Sequence, residues 1–258
     1  MSDFVTLSRH GAVACITLDR PQARNALTWE MWRALSRLAD QAEADDSVKV
    51  LLLKGGPDAF AAGADIDEMG RLAQDKEQAA AFAADMMGAM QSLARLCKPS
   101  IAVVKGACVG GGMTLALACD FRFAGDSAKF GITPARLGLI SPLADSARLI
   151  DIVGAPAAKD LLFTARLIEV VEARQLGLID RLAPDDAIDA EAFTYAERIA
   201  ELSQTSITGA KRMIGRALAG RRQDDAETLA EFVEALTGPD FREGRAAFLA
   251  KRKPRFTP

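Results

Sequence analysis

Two short apolar runs narrow the possible folds more than anything else in the chain. Residues 48–53 are apolar except for Lys49, and residues 101–104 are apolar throughout. Neither run has a polar face to offer water, so both read as strands covered on two sides, as in a parallel sheet. Gly55-Gly56-Pro57 stops the first and Gly106 ends the second, and a helical pattern follows each. Parallel neighbours need long crossover connections, which helices supply. The first two-thirds of the chain is therefore expected to be α/β.

The remaining pattern extends this reading. Residues 4–7 and 13–18 suggest two strands around Arg9-His10-Gly11. Thr28 is a plausible N-cap for a helix with apolar residues at Met31, Leu35, Leu38 and Ala42. A second helix spans about 75–96, stopped by Pro99, and a short apolar helix follows Gly110-Gly111-Gly112. Strands are expected at 120–124 and 128–130, then helices at 144–153, 156–163 and 170–176, then a last strand at 177–182. Helices at about 186–202, 206–218, 224–236 and 241–251 close the chain, with no repeat of fixed period.

Composition excludes several classes of function. The formal net charge of −3 over 258 residues gives no global basic field for nucleic acid or an anionic membrane. No apolar run approaches the roughly 20 residues needed to span a bilayer, and Met1-Ser2-Asp3-Phe4, with no charged stretch followed by an apolar one, is not expected to open a leader peptide. Cys15, Cys97, Cys108 and Cys119 sit among apolar neighbours without C-x-x-C spacing, so buried, reduced thiols are expected rather than a metal site. Together these features suggest a cytoplasmic protein with no resident cofactor or metal. The single histidine, His10, lies in the hairpin signal, so the chemistry is expected to proceed without imidazole.

Two glycine-containing turns are the candidate functional elements. Phe60-Ala61-Ala62-Gly63-Ala64-Asp65-Ile66 follows the first apolar strand, and Gly106-Ala107-Cys108-Val109-Gly110-Gly111-Gly112 follows the second. A helix start leaves N–H groups unpaired, and small side chains let a ligand approach them. Two such turns from neighbouring strands could aim two donors at one oxygen and form an oxyanion hole. The alternative is that the glycines only shape tight turns. Neither turn carries a nucleotide-binding glycine pattern.

At these residues the chain resembles a known family. The stretch from Phe60 to Met69 resembles the FAAGADIKEM segment of enoyl-CoA hydratases, and Lys105 to Gly112 resembles their NGxxxGGG turn. The stretch from Asp19 to Leu27 resembles NRPxxxNAL, and Arg242-Glu243-Gly244 with Phe248 to Arg252 resembles the REGxxAFxxKR close. Four ordered motifs cover nearly the whole chain, which is thus similar to the crotonase superfamily. The resemblance implies a ClpP-like spiral of β-β-α units over residues 1–200. It also implies a helical oligomerisation region over 201–258, in a homotrimer or dimer of trimers. The substrate would be an acyl-CoA thioester, with coenzyme A as part of that substrate rather than a cofactor.

By motif position, the N–H groups of Ala64 and Gly111 would form the oxyanion hole. Ala62, Asp65 and Ile66 would lie along the adenine and pantetheine, and Gln22, Ala23 and Arg24 would edge the nucleotide. Phe248 and Lys251 would reach coenzyme A from the last helix, with a neighbouring subunit as one possible recipient. The other reading of Lys251 is a solvated basic run with Arg252 and Lys253.

The sequence also departs from the hydratases. Their two catalytic glutamates fall at Thr114 and at Pro134, neither of which is a proton carrier at neutral pH. General acid–base catalysis contributes ~10²–10⁴-fold, so hydration should suffer. Three readings stay open. Another carboxylate could substitute, with Asp145 the first candidate and Asp67 and Glu68 weaker ones. The favoured reading of Asp145 itself is an ordinary helix-capping residue. Alternatively, the reaction needs only enolate stabilisation, as in an acyl-CoA decarboxylase or hydrolase. Thr133-Pro134 followed by Leu137-Gly138 resembles methylmalonyl-CoA decarboxylases, although their His and Tyr would fall at Ala64 and Ser141. The third is a non-catalytic acyl-CoA-binding module. Thr114, Ser141 and Asp145 are the polar groups expected in the pocket.

Overall fold

The computed structural model describes residues 4–256. The expectation about a leader rests mostly on residues 1–3, which lie outside the described residues. The chain begins with an antiparallel hairpin, β1 (Val5–His10) and β2 (Val13–Leu18), with Val5 opposite Leu18 and His10 opposite Val13. The first strand thus runs three residues beyond the expected 4–7. Helix α1 (Trp29–Ala44) starts where Thr28 accepts a hydrogen bond from the Met31 N–H, and it buries Met31, Leu35, Leu38 and Ala42.

Three similar units follow. The first is β3 (Val50–Lys54), β4 (Ala59–Ala61) and helices α2 (Ile66–Leu72) and α3 (Lys76–Ala94). The second is β5 (Ser100–Val104), β6 (Ala107–Val109) and α4 (Gly111–Ala118). The third is β7 (Phe121–Gly125), β8 (Lys129–Gly131) and α5 (Leu143–Thr164). Then come β9 (Ile168–Glu169), α6 (Val170–Gln175), β10 (Arg181–Ala183) and α7 (Ile188–Ala200). Helices α8 (Gln204–Leu218), α9 (Ala226–Thr237) and α10 (Pro239–Leu249) complete the chain.

The first strand of each unit enters one sheet and the second strand enters another. The larger sheet runs β1-β2-β3-β5-β7-β10, parallel from β2 onward, and the smaller runs β4-β6-β8-β9. Each unit therefore advances one strand in both sheets, which is the expected spiral of β-β-α turns.

The large sheet is covered on both faces, which accounts for its unbroken apolar strands. Val50, Leu52, Ile101, Val103 and Phe123 pack with Ile188, Ala192 and Ala196 of α7. Leu51, Leu53, Ala102 and Val104 point the other way, into a core with Met31, Trp32 and Leu35 of α1 and Met113 and Leu115 of α4.

Four expectations change. The two glycine turns are not simple strand-to-helix connections, because each contains a three-residue strand, β4 or β6. The last strand is Arg181–Ala183 rather than 177–182. The two helices expected over 144–153 and 156–163 run end to end across Gly154, the one residue of α5 with non-helical angles (φ 77°). Cys97 is exposed, since it follows the end of α3 instead of entering a strand, whereas Cys15, Cys108 and Cys119 are buried as expected. Among the described residues no helix is long and apolar enough to cross a membrane.

Candidate active site

The two glycine turns meet. After β4, the chain is held by the loop before α1. Ala62 N–H donates to Arg24 C=O at 3.0 Å, Leu27 N–H to Gly63 C=O at 2.8 Å, and Asp65 N–H to Leu27 C=O at 2.9 Å. Buried Asn25 fastens that loop, donating from Nδ2 to the carbonyls of Ala59 and Phe60 at 2.9 and 3.2 Å. In the second turn, Gly110 N–H donates to Gly131 C=O at 2.8 Å, and Gly111 is the first residue of α4. A helix start has no intrahelical acceptor for that N–H. Among the described residues, neither the Ala64 nor the Gly111 N–H has an acceptor.

Close backbone approach brings the two groups together. A Cβ at Gly112 would lie 2.2 Å from the Ala61 carbonyl oxygen, so only glycine lets α4 sit this near β4. A Cβ at Gly111 would lie 3.5 Å from the Ala64 nitrogen and 3.0 Å from the Trp32 ring. Gly110 supports the turn at φ 53°, in the left-handed region that favours glycine.

Ala64 and Gly111 line a cavity of ≈ 360 Å³, as do Ala62, Ile66, Thr114, Ser141 and Asp145. Helices α2 and α3 supply an apolar wall of Met69, Leu72, Phe82, Met86, Met87 and Met90. Thr133 and Pro134 also face the cavity. Thr114 is buried, and its hydroxyl donates to the Gly111 carbonyl at 3.0 Å. That bond leaves Thr114 braced against the α4 start.

Asp145 stands in the first turn of α5 and is 3% exposed. Its Oδ1 accepts from Arg148 Nη1 at 3.0 Å, while its Oδ2 is buried with no partner. The Ser141 hydroxyl is likewise buried and unpartnered. Burial pushes the Asp145 carboxyl above the ordinary carboxylate range, and Arg148 opposes that shift. Among the described residues, Asp145 is the only ionisable one along the cavity wall. It caps no helix: α5 begins after Pro142, without a side-chain cap.

The other expected site residues are more dispersed. Gln22 and Ala23 lie in a short 3-10 turn, Pro21–Ala23, and Arg24 follows it, but none of the three lines the cavity. Asp65 caps α2, accepting from the Glu68 N–H at 3.0 Å and from Arg20 Nη1 at 2.7 Å. Those bonds, the Glu68 N–H foremost, hold its carboxyl below the usual range. Glu68 accepts from the Trp29 N–H at 2.6 Å and so braces α1, and Asp67 is exposed in the first turn of α2. Phe248, 83% exposed on α10, and Lys251 just beyond it do not line the cavity of their own chain. Among the described residues no three His, Cys, Asp or Glu side chains converge as a metal site.

Sequence reasoning missed Arg20, Asn25, Arg148 and the methionine-rich wall. The i, i+3 spacing of Asp145 and Arg148 was a visible signal for that pair. No sequence signal shows that α3 turns one apolar side to an open cavity.

Comparison with known proteins fits this geometry. The family model for enoyl-CoA hydratase/isomerase matches residues 8–258. A "Probable enoyl-CoA hydratase" of Rhizobium meliloti is 39% identical, covering 98% of both chains. A solved structure from Hyphomonas neptunium, named for the enoyl-CoA hydratase/isomerase family, superposes with a TM-score of 0.95 at 42% identity. That match covers 98% of this chain and 97% of the other. An enoyl-CoA hydratase/carnithine racemase from Magnetospirillum magneticum gives a TM-score of 0.94 at 38% identity, covering 100% and 96%. By model, sequence and fold alike, the chain belongs to the enoyl-CoA hydratase/isomerase family of the crotonase superfamily.

Proposed function

We propose that the protein binds an acyl-CoA thioester and stabilises its enolate with the N–H groups of Ala64 and Gly111. The observation that carries this reading is the pair itself: two backbone donors without acceptors, side by side on an apolar cavity. Removing a proton from the carbon next to a thioester builds negative charge on the carbonyl oxygen. Preorganised donors in a dry site stabilise that charge more than they stabilise the substrate. The apolar wall of α2 and α3 takes the acyl tail. On the mouth side, Ala62, Asp65 and Ile66 flank the pantetheine, and Gln22, Ala23 and Arg24 edge the nucleotide. Ile66 is 53% exposed there, which suits a residue covered by ligand.

The C-terminal helices support assembly into a trimer or a dimer of trimers. Phe232, Leu236, Phe241 and Phe248 line a shared groove on α9 and α10. Phe232 is 65% exposed and Phe241 47%. Packing between subunits would cover this surface and could bring Phe248 and Lys251 to a neighbour's coenzyme A.

Parallel assays of crotonyl-CoA hydration and methylmalonyl-CoA decarboxylation test the reading, repeated with Gly111→Pro. Proline is accommodated at the first helical position but has no N–H. Losing one such donor should lower kcat by ~10²–10³-fold. Decarboxylation without hydration would identify the scaffold as a decarboxylase. Tight acyl-CoA binding with no turnover of any thioester would identify a binding module. A Gly111→Pro variant with undiminished kcat would refute the oxyanion hole.

A further inference from the structure

Among the described residues, the cavity that holds the N–H pair is lined by a single ionisable side chain, Asp145. Of the two positions where hydratases carry glutamate, Thr114 has its hydroxyl on the Gly111 carbonyl and Pro134 offers no side-chain proton. Asp145, by contrast, lines the cavity, is 3% exposed and carries a buried oxygen, Oδ2, that has no partner among the described residues. A buried polar atom left unpaired costs ~1–3 kcal/mol, so such an atom points to a functional role. Arg148 fixes the other carboxylate oxygen at 3.0 Å and so orients the group without occupying Oδ2. The Ser141 hydroxyl, also buried and unpartnered, lies on the same wall.

We infer that Asp145 is the proton carrier for an allylic shift, converting a β,γ-unsaturated acyl thioester into its conjugated α,β isomer. The inference rests on Ala64 and Gly111 holding the thioester oxygen. Hydration needs a positioned water, a group to take its proton and a source for the α-proton. An allylic shift needs one carboxylate and no water. The Asp145 carboxylate removes the α-proton, and the C–H electron pair becomes the π bond between the α-carbon and the carbonyl carbon as the carbonyl π pair moves onto oxygen. In the second half the oxygen pair restores the carbonyl and the α–β double bond forms. The former β–γ pair then takes the proton back from Asp145 at the γ-carbon. Atoms and electrons balance with no oxidant, reductant or co-substrate. Burial strengthens Asp145 as a base, and Arg148 keeps its ionised form accessible. The apolar wall of Met86, Met87 and Met90 suits an unsubstituted aliphatic tail beyond the γ-carbon.

The test compares 3-hexenoyl-CoA and 2-hexenoyl-CoA as substrates, with hexanoyl-CoA as a binding probe. The wild-type protein should convert the 3-enoyl to the 2-enoyl thioester faster than it hydrates the 2-enoyl thioester. Asp145→Asn should lose ~10²–10⁴-fold in isomerisation kcat with hexanoyl-CoA affinity unchanged. Asp145→Glu, which keeps a carboxylate, should recover part of the loss. If the asparagine variant does not fold, Asp145→Ser gives the same reading with a smaller group. The inference is overturned if a folded Asp145→Asn protein isomerises at the wild-type rate, or if the wild type hydrates faster than it isomerises. Hexanoyl-CoA binding without isomerisation would overturn this inference alone. Failure to bind hexanoyl-CoA would overturn the thioester reading as well.

Discussion

Gly111 and Asp145 show how differently single residues can be read from sequence. Gly111 was legible because three successive glycines at a helix start clear the backbone for a close approach, and the structure adds what surrounds the middle one. A Cβ there would make a tight contact with the Trp32 ring at 3.0 Å and an ordinary one with the Ala64 nitrogen at 3.5 Å. Asp145 was legible only as a carboxylate near a helix start, and capping was the favoured reading. What separates the two is tertiary: Pro142, not Asp145, stands at the N-cap, and Asp145 belongs to the cavity wall with one oxygen buried and unpaired among the described residues. The pH dependence follows from the same surroundings. Arg148 is the only charged group shown acting on Asp145, and its effect is smaller than that of burial. As a base, Asp145 works ionised, so kcat should rise with pH through a midpoint above the ~3.9 of an ordinary aspartate. A pH–rate profile of 3-hexenoyl-CoA isomerisation checks this, and Asp145→Asn should lack that rising limb.

Among the elements, long helices and buried strands were visible and the short strands were not. The large-sheet strands β3 and β5 each show an unbroken apolar run, and α1 shows both a cap and a regular apolar stripe. β4 and β6 have three residues each, too few for a periodic pattern, and they lie inside glycine turns. Their strand character comes from pairing with each other and with β8, a contact between successive units of the spiral. Helix α3 was placed correctly, but its role as cavity wall depends on α2 leaving space beside it. That wall should set chain-length preference. Each methylene buried contributes ~0.8 kcal/mol, or about four-fold in kcat/KM, until the cavity is full. Met86→Trp should fill part of the cavity and move the optimum to shorter acyl chains, as measured across a series of acyl-CoA thioesters. An unchanged optimum would place the tail elsewhere.

The whole molecule joins a two-sided sheet core to a helical segment with little core of its own. Beyond residue 200, Ala247 is the only apolar side chain buried among the described residues, while large apolar side chains face outward. The sequence showed the helices but not this imbalance, because α8 and α9 are each amphipathic and such a stripe does not say what covers it. If subunits pack there, the double variant Phe232→Glu with Phe241→Glu should sediment as a monomer while the wild type sediments as a larger species. Both the catalytic reading and the proton-carrier inference depend on a thioester oxygen held by two backbone amides. Infrared difference spectroscopy of hexanoyl-CoA carrying a ¹³C-labelled carbonyl measures that contact directly. Binding to the wild type should lower the carbonyl stretching frequency, and Gly111→Pro should reverse much of that shift. A carbonyl band that stays at its aqueous position in the bound wild-type complex would contradict the account.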